Sequence, residues 1–201
     1  MDLKPPARDL GSRRLPTVDV EPARLWRVSR FASGEPYFGR SGANRFDDAS
    51  MPKRKRFGVS YFGLELRTAL AETVLHDEVA VRGQFAISVS EIDSRFLVRF
   101  RGSTLVLADL TGVNLKTLGG DGAISTELPA KMPRRWARAV HAHPQQVDGI
   151  VYMSRHVNDR KAVALFDRAA SKLTARSYTP LPRVRGIFTA VTELHISLQY
   201  P

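Results

Sequence analysis

Apolar residues recur along this chain with two different periods. From Leu64 to about Val79 the spacing is helical: Leu64, Leu66, Leu70, Ala71, Val74, Leu75 and Val79 fill a wide arc at 100° per residue. An arc that broad must be largely enclosed by other elements. Glu72 falls at its edge, beside Leu75 and Val79, and Arg67 falls within it. Alternation of period two marks Phe85-Ile87-Val89 and Phe96-Val98-Phe100, and short unbroken apolar runs mark Leu105–Ala108, Gly149–Ser154 and Ala162–Phe166. These predict strands, the last two buried ones. Leu25–Val28 and Val59–Phe62 read as further short strands, and Leu173–Tyr178 and Leu194–Tyr200 as additional candidates. A second helix is predicted from Arg134 to about His143, stopped by Pro144. The pattern gives an α+β fold with several short strands and about two or three helices.

The intervening segments lack such periods. Residues 1–20 carry prolines and charges with no sustained apolar spacing, and read as a flexible N-terminal arm ahead of one domain over 21–201. Residues 31–57 are rich in Gly, Ser, Asn, Asp and basic side chains; a loop of that length inside a domain is functional or disordered. Residues 110–131, with four glycines and Pro129, read as loop with one helical turn.

Composition narrows the class. The chain has 201 residues, 43% of them hydrophobic, which supports a core and excludes wholesale disorder. No apolar run is long enough for a membrane helix, and the N-terminus lacks the apolar stretch of a secretory signal. With no cysteine, disulfides, thiolate chemistry and cysteine-held zinc are excluded. A cytoplasmic location is the expectation. The 31 Lys+Arg against 20 Asp+Glu leave a charge of +11, which calls for an anionic partner: nucleic acid, a phosphorylated small molecule or an acidic protein.

Taken singly, the polar residues of interest have plain explanations. Gly39-Arg40-Ser41-Gly42 is no Walker loop and reads as a turn. Lys53-Arg54-Lys55-Arg56 is a basic cluster without interleaved aromatics; a solvated loop is favoured over a nucleic-acid contact. His141 and His143, with no cysteine or nearby carboxylate, make no metal site. Arg27 lies inside an apolar strand, where it holds an anion or faces solvent from an edge. Tyr61 is a core aromatic or a stacking surface, Glu72 a salt-bridge partner or a catalyst, and Ser154 a turn-former or a functional group at a strand end.

Their order carries more. Leu25-Trp26-Arg27, Asn44-Arg45-Phe46, Tyr61, Ala69-Leu70-Ala71-Glu72, and Asp148-Gly149 leading to Tyr152-Met153-Ser154-Arg155 together resemble the RES-domain family, from about Leu25 to about Arg168. The family is named for an arginine, a glutamate and a serine in this order, and Arg27, Glu72 and Ser154 match them. The resemblance implies the toxin of a bacterial type II toxin–antitoxin pair, with a single-domain α+β fold similar to ADP-ribosyltransferases. Members consume NAD by hydrolysis or phosphorolysis, or transfer ADP-ribose to a protein. The implied partner is an Xre-type antitoxin that covers the active site and carries the DNA-binding region. A hetero-oligomer is therefore expected, with NAD as substrate, no metal, no membrane, and no direct nucleic-acid contact except through the antitoxin. The family usually has Gly-Arg-Trp-Asn where this chain has Asn44-Arg45-Phe46-Asp47; Phe46 keeps an aromatic face for stacking, and Asp47 adds a negative charge. A small residue is usual two after the tyrosine, here Gly63.

Cleaving the nicotinamide–ribose bond develops positive charge on the ribose and releases a neutral group, so the site must hold the dinucleotide and stabilise an oxocarbenium-like transition state. On the resemblance, Arg27 and Arg45 would bind pyrophosphate or ribose-phosphate oxygens, Tyr61 would stack on nicotinamide, Glu72 would stabilise the cation or orient the attacking group, and Ser154 would bond the ribose or fix a neighbouring side chain. The rival from another class is a non-catalytic basic module that docks nucleic acid through Arg54, Lys55 and their neighbours.

Overall fold

A computed structural model describes residues 3–200. Ten strands and six short helices alternate: β1 Thr17–Val20, β2 Trp26–Ser29, β3 Val59–Gly63, α1 Leu66–Ala71, β4 Phe85–Ser88, α2 Val89–Asp93, β5 Phe96–Gly102, β6 Leu105–Asp109, α3 Gly112–Thr117, α4 Ala123–Thr126, α5 Lys131–His141, β7 Gly149–Met153, β8 Lys161–Phe166, β9 Leu173–Pro180, α6 Ile187–Glu193 and β10 Ile196–Gln199. Eight strands form one sheet in the order β1-β6-β7-β8-β3-β2-β5-β9, and β10 and β4 form a separate parallel pair. Within the large sheet β6–β7 is parallel and every other pairing antiparallel, so the α+β expectation holds.

The unbroken apolar runs are explained by burial on both faces. In β7 and β8, Ile150, Tyr152, Ala164 and Phe166 face a core layer with Trp136 of α5, while Val151, Val163 and Leu165 face a second layer with Phe62 and Phe100. A third layer joins α1 to α6, β4 and β10 through Leu66, Leu70, Val74, Ile187 and Val191.

Several expectations are corrected. The expected flexible arm packs against the domain across its described residues. Leu3, Leu10 and Leu15 are buried, β1 pairs with β6, and Trp136 Nε1 donates to the Lys4 carbonyl at 2.9 Å. His143 and Gln145 tie it further: Nε2 of His143 lies 2.9 Å from the Arg13 carbonyl, and the Leu15 N–H donates to Gln145 Oε1. Its apolar residues are spaced for contacts with α5 rather than for a period of their own. The helix expected from Leu64 to Val79 is only the six residues of α1. The chain turns after Glu72, burying Val74 and Leu75 but leaving Val79 exposed. The stretch 110–131 holds two short helices, and α6 lies where no helix was expected. Val89 leaves its strand because the Ser88 hydroxyl caps the N-terminus of α2, accepting from the Glu91 N–H.

Gly63 is fixed by packing. A Cβ there would lie 2.5 Å from the Ala69 nitrogen, so α1 can rest on the end of β3 only over glycine. At the same point the sheet opens: β2 and β3 pair only at Trp26 and Gly63. Below that pair Arg27 bridges the gap, donating from Nη1 to the Tyr61 carbonyl at 2.9 Å.

Candidate functional site

The site collects around the C-terminus of α1. Glu72 is the residue at which the helix ends, its N–H still bonded to the Thr68 carbonyl at 2.9 Å. A carboxylate there meets the negative end of the helix dipole, an unfavourable placement by about 0.3–1 kcal/mol. Its Oε2 accepts a long hydrogen bond, 3.4 Å, from the Tyr152 hydroxyl, while Oε1 is buried with no partner among the described residues. A buried acceptor left open is costly unless something fills it.

Arg45 stands near this carboxylate, and Arg155 stands near Arg45. Arg45 is held by donation from Nη1 to the Glu127 carbonyl at 2.9 Å. Burial, then the neighbouring Arg155 charge, keeps its pKa below the usual arginine value, with Tyr152, Glu72 and Tyr61 pulling the other way. Arg155 donates from Nε to His156 Nε2 at 2.9 Å and from Nη2 to the His76 carbonyl at 3.3 Å. Burial and then the charge of Arg155 push His156 down to about 4, so it is neutral at physiological pH. The cluster is therefore built for negative charge, with one carboxylate inside it.

The aromatic wall is fixed by hydrogen bonds. The Tyr61 hydroxyl donates to Asp47 Oδ1 and accepts from the Phe46 N–H, each at 3.0 Å. Burial is the larger cause and Asp47 the next in raising this phenol well above its ordinary pKa; burial and then Glu72 do the same for Tyr152. Both stay protonated and keep their hydroxyl donors. The extra negative charge of Asp47 is turned inward. Its Oδ2 gathers Ser41 Oγ at 2.7 Å and the N–H groups of Gly42 and Asn44, folding the loop that carries Arg45. The 31–57 loop is thus ordered by its own polar side chains. Arg56 also donates inward, to the carbonyls of Met51 and Ser41.

The structure brings Arg45, Tyr61 and Glu72 together and sets Arg27 and Ser154 apart from direct contact with them by side chain. Arg27 Nε lies 2.8 Å from a Glu35 oxygen, off the N–H direction, and the Glu35 side chain is 3% exposed. The anion held by Arg27 in this structure is therefore internal, supplied by the long loop. Ser154 is fully buried, and its Oγ accepts from the N–H groups of His156 and Val157 at 3.2 and 3.1 Å. That bond shapes the turn that presents Arg155 and His156. Phe46 offers no stacking face: it is 0% exposed and packs edge-on to Tyr152 at 4.7 Å between centroids. Asp148 is structural too, accepting from the Val106 N–H and Lys172 Nζ, each at 2.8 Å. His143 anchors the N-terminal segment, and His141 stacks on Phe57 at 4.1 Å.

Sequence reasoning missed Glu35, Tyr152, Arg155 and His156 as site residues. Tyr152 and Arg155 are the two ends of the motif Tyr152-Met153-Ser154-Arg155, and their strand-end position was the available signal. Glu35 had none, because its contact depends on how a long loop folds back.

Comparison with known proteins places the chain in a family and a fold. The RES domain matches residues 24–184. A 112-residue stretch is 31% identical to the probable toxin y4kH of Sinorhizobium fredii, covering 51% of this chain and 81% of that protein. The fold resembles a chain of the crystal structure of the M. tuberculosis MbcT–MbcA toxin–antitoxin complex, with a TM-score of 0.53 at 11% identity, over 78% of this chain and 84% of that one. No helix among the described residues is long and apolar enough to cross a membrane.

Proposed function

Because the chain belongs to the RES domain family, we propose that it is the toxin of a toxin–antitoxin pair and that it consumes NAD at the Glu72 cluster. The observation that carries this reading is the buried Oε1 of Glu72, without a partner among the described residues, in a cluster where Arg45 feels both its charge and that of Arg155. As the nicotinamide–ribose bond of NAD lengthens, positive charge grows on the ribose. A carboxylate oxygen with no competing donor is free to stabilise that charge in a dry setting, where the interaction is stronger than in water. Arg45 and Arg155 supply the opposite need, holding phosphate oxygens through charge-assisted bonds. Tyr61 offers its ring to the nicotinamide, and Ser154 acts through the turn that aims Arg155. Arg27 joins the phosphate contacts by exchanging or sharing Glu35. The chemistry asks for no metal ion, since the leaving nicotinamide is neutral.

A chain that drains NAD needs an inhibitor, and an Xre-type antitoxin presenting an acidic group to Arg45 and Arg155 would supply it in a hetero-oligomer. The acceptor is water, phosphate or a protein side chain, the last making the chain an ADP-ribosyltransferase.

The test is incubation of the purified chain with NAD, with and without phosphate and with cell extract, followed by mass identification of products. Free nicotinamide is expected, falling by about a hundredfold or more in Glu72→Gln if the carboxylate contributes about 3–4 kcal/mol. Nicotinamide release no greater than in that variant under every condition would sink the enzymatic reading.

A further inference from the structure

A second feature lies outside the Glu72 cluster. Helix α5 turns Pro133, Trp136, Ala137 and Val140 inward and leaves Lys131, Arg135 and Arg138 exposed at i, i+4 and i+7, one stripe along its outer face. The fold sets the turn Lys53–Lys55, three consecutive exposed cations, next to that stripe. The two are joined by the bond from Arg138 Nη1 to Ser50 Oγ at 2.9 Å and by the Phe57–His141 stack. Between them lies a concavity of about 370 Å³ lined by Lys55, Arg56, Arg138 and His141, together with Asp48 and Asp167. Both acids are already engaged, Asp167 by Arg40 at 2.7 Å and Asp48 by Ser50. Lys53, Arg54, Lys55, Lys131 and Arg135 make no ion pair among the described residues, whereas Arg27, Arg30, Arg40, Arg67, Arg95 and Arg160 all do.

We propose that the outer face of α5 and the 53–55 turn bind the phosphate backbone of double-stranded nucleic acid. Taken alone, Lys53–Arg56 is a solvated basic loop; the fold adds Lys131, Arg135 and Arg138 of α5 to its charge. Charge complementarity selects an anion, and the make-up of the face selects which one. A protein partner needs apolar anchors at the centre of its interface. None of the large exposed apolar side chains, such as Phe31, Val113, Leu128 and Phe188, lies on α5 or in 50–56. The same lack of exposed aromatics leaves no platform for the stacked bases of a single strand. A duplex backbone needs only cations at matching reach. The 11 residues of α5 rise about 16 Å, the axial length of about five nucleotides of one strand. The contact is independent of sequence and independent of the catalytic reading.

The experiment is fluorescence anisotropy of the full-length chain with a mixed-sequence duplex DNA of about twenty base pairs, repeated over a range of salt. Each phosphate neutralised contributes about −0.9 to the slope of log K against log salt. A slope near −4 is expected, flattened by about 2 to 3 units in Lys53→Ala/Arg54→Ala/Lys55→Ala and by about 2 in Lys131→Ala/Arg135→Ala. A control that removes equal charge elsewhere, Arg176→Ala/Arg183→Ala/Arg185→Ala, is expected to leave the slope within about one unit. All these side chains are exposed, so the variants should fold, which their melting curves check. Equal flattening by the control would overturn the proposal in favour of diffuse charge. Preference for polyglutamate over duplex at equal charge would overturn it in favour of an acidic protein partner.

Discussion

Arg27 was expected to hold an anion, and in this structure the anion is Glu35, so the pair can be tested as a strut and as a gate in one experiment. Replacing Arg27 by Ala leaves a carboxylate that is 3% exposed without its counter-charge. Breaking a fully buried pair from one side costs about 3–5 kcal/mol; Arg27 is itself 22% exposed, so water can reach part of the vacancy and about 2–4 kcal/mol is expected. The Tyr61 carbonyl also loses its donor, at about 1 kcal/mol within that total. For a chain of this size each kcal/mol moves Tm by about 2–4 °C, so a drop of about 5–15 °C should follow. Glu35→Ala leaves a guanidinium that can turn to water and keeps its Tyr61 bond, so about 1–2 kcal/mol is expected. Urea unfolding of both single variants and the double variant gives the coupling directly, expected at about 1 kcal/mol or more. The same proteins report on function. If Arg27 contacts substrate phosphate, Glu35→Ala should lower KM for NAD or leave it unchanged, while Arg27→Ala should raise it about tenfold or more, as loss of one charge-assisted bond predicts. Additive stability changes would refute the strut, and a KM that rises equally in both variants would refute the exchange of Glu35 for phosphate.

Two further outcomes follow from buried polar groups. Ser154→Ala removes the acceptor of two N–H groups, and should cost about 1–3 kcal/mol in urea unfolding while raising KM for NAD through misplaced Arg155; unchanged stability with a collapsed kcat would instead put the hydroxyl on the substrate. His141 and His156 both fall to about 4 in the fold, mainly through burial, from an ordinary value of 6.5. The unfolded chain therefore binds more protons than the native one between about pH 4 and 6.5, and stability should be full above that window and decline as pH falls through it, by about 1–3 kcal/mol per histidine once partial exposure is allowed for. Urea midpoints at pH 7 and 4.5 measure the loss, and His141→Phe, which keeps the stack on Phe57, should remove about half of it.

The strands β2, β3 and β5 to β8 were readable from the chain, because residues buried on two faces must be apolar in succession and those buried on one face must alternate. The ordered arginine, glutamate and serine were readable too, since their neighbours form short local motifs. What the sequence could not reveal depends on distant partners. The N-terminal segment looked free because its anchors, Trp136, His143 and Gln145, come more than a hundred positions later. The helix after Leu64 looked long because periodicity records which residues are buried and not whether the backbone turns between them. Phe46 and Ser154 looked like contact groups and are interior ones, since a residue type does not carry its own depth. Arg27 called for an anion by its chemistry, but only the fold of a long loop decided that the anion would be Glu35. The basic helix and the basic turn likewise became one surface only when α5 packed beside the 50–57 segment, since charge adds up by distance in space and not by distance along the chain.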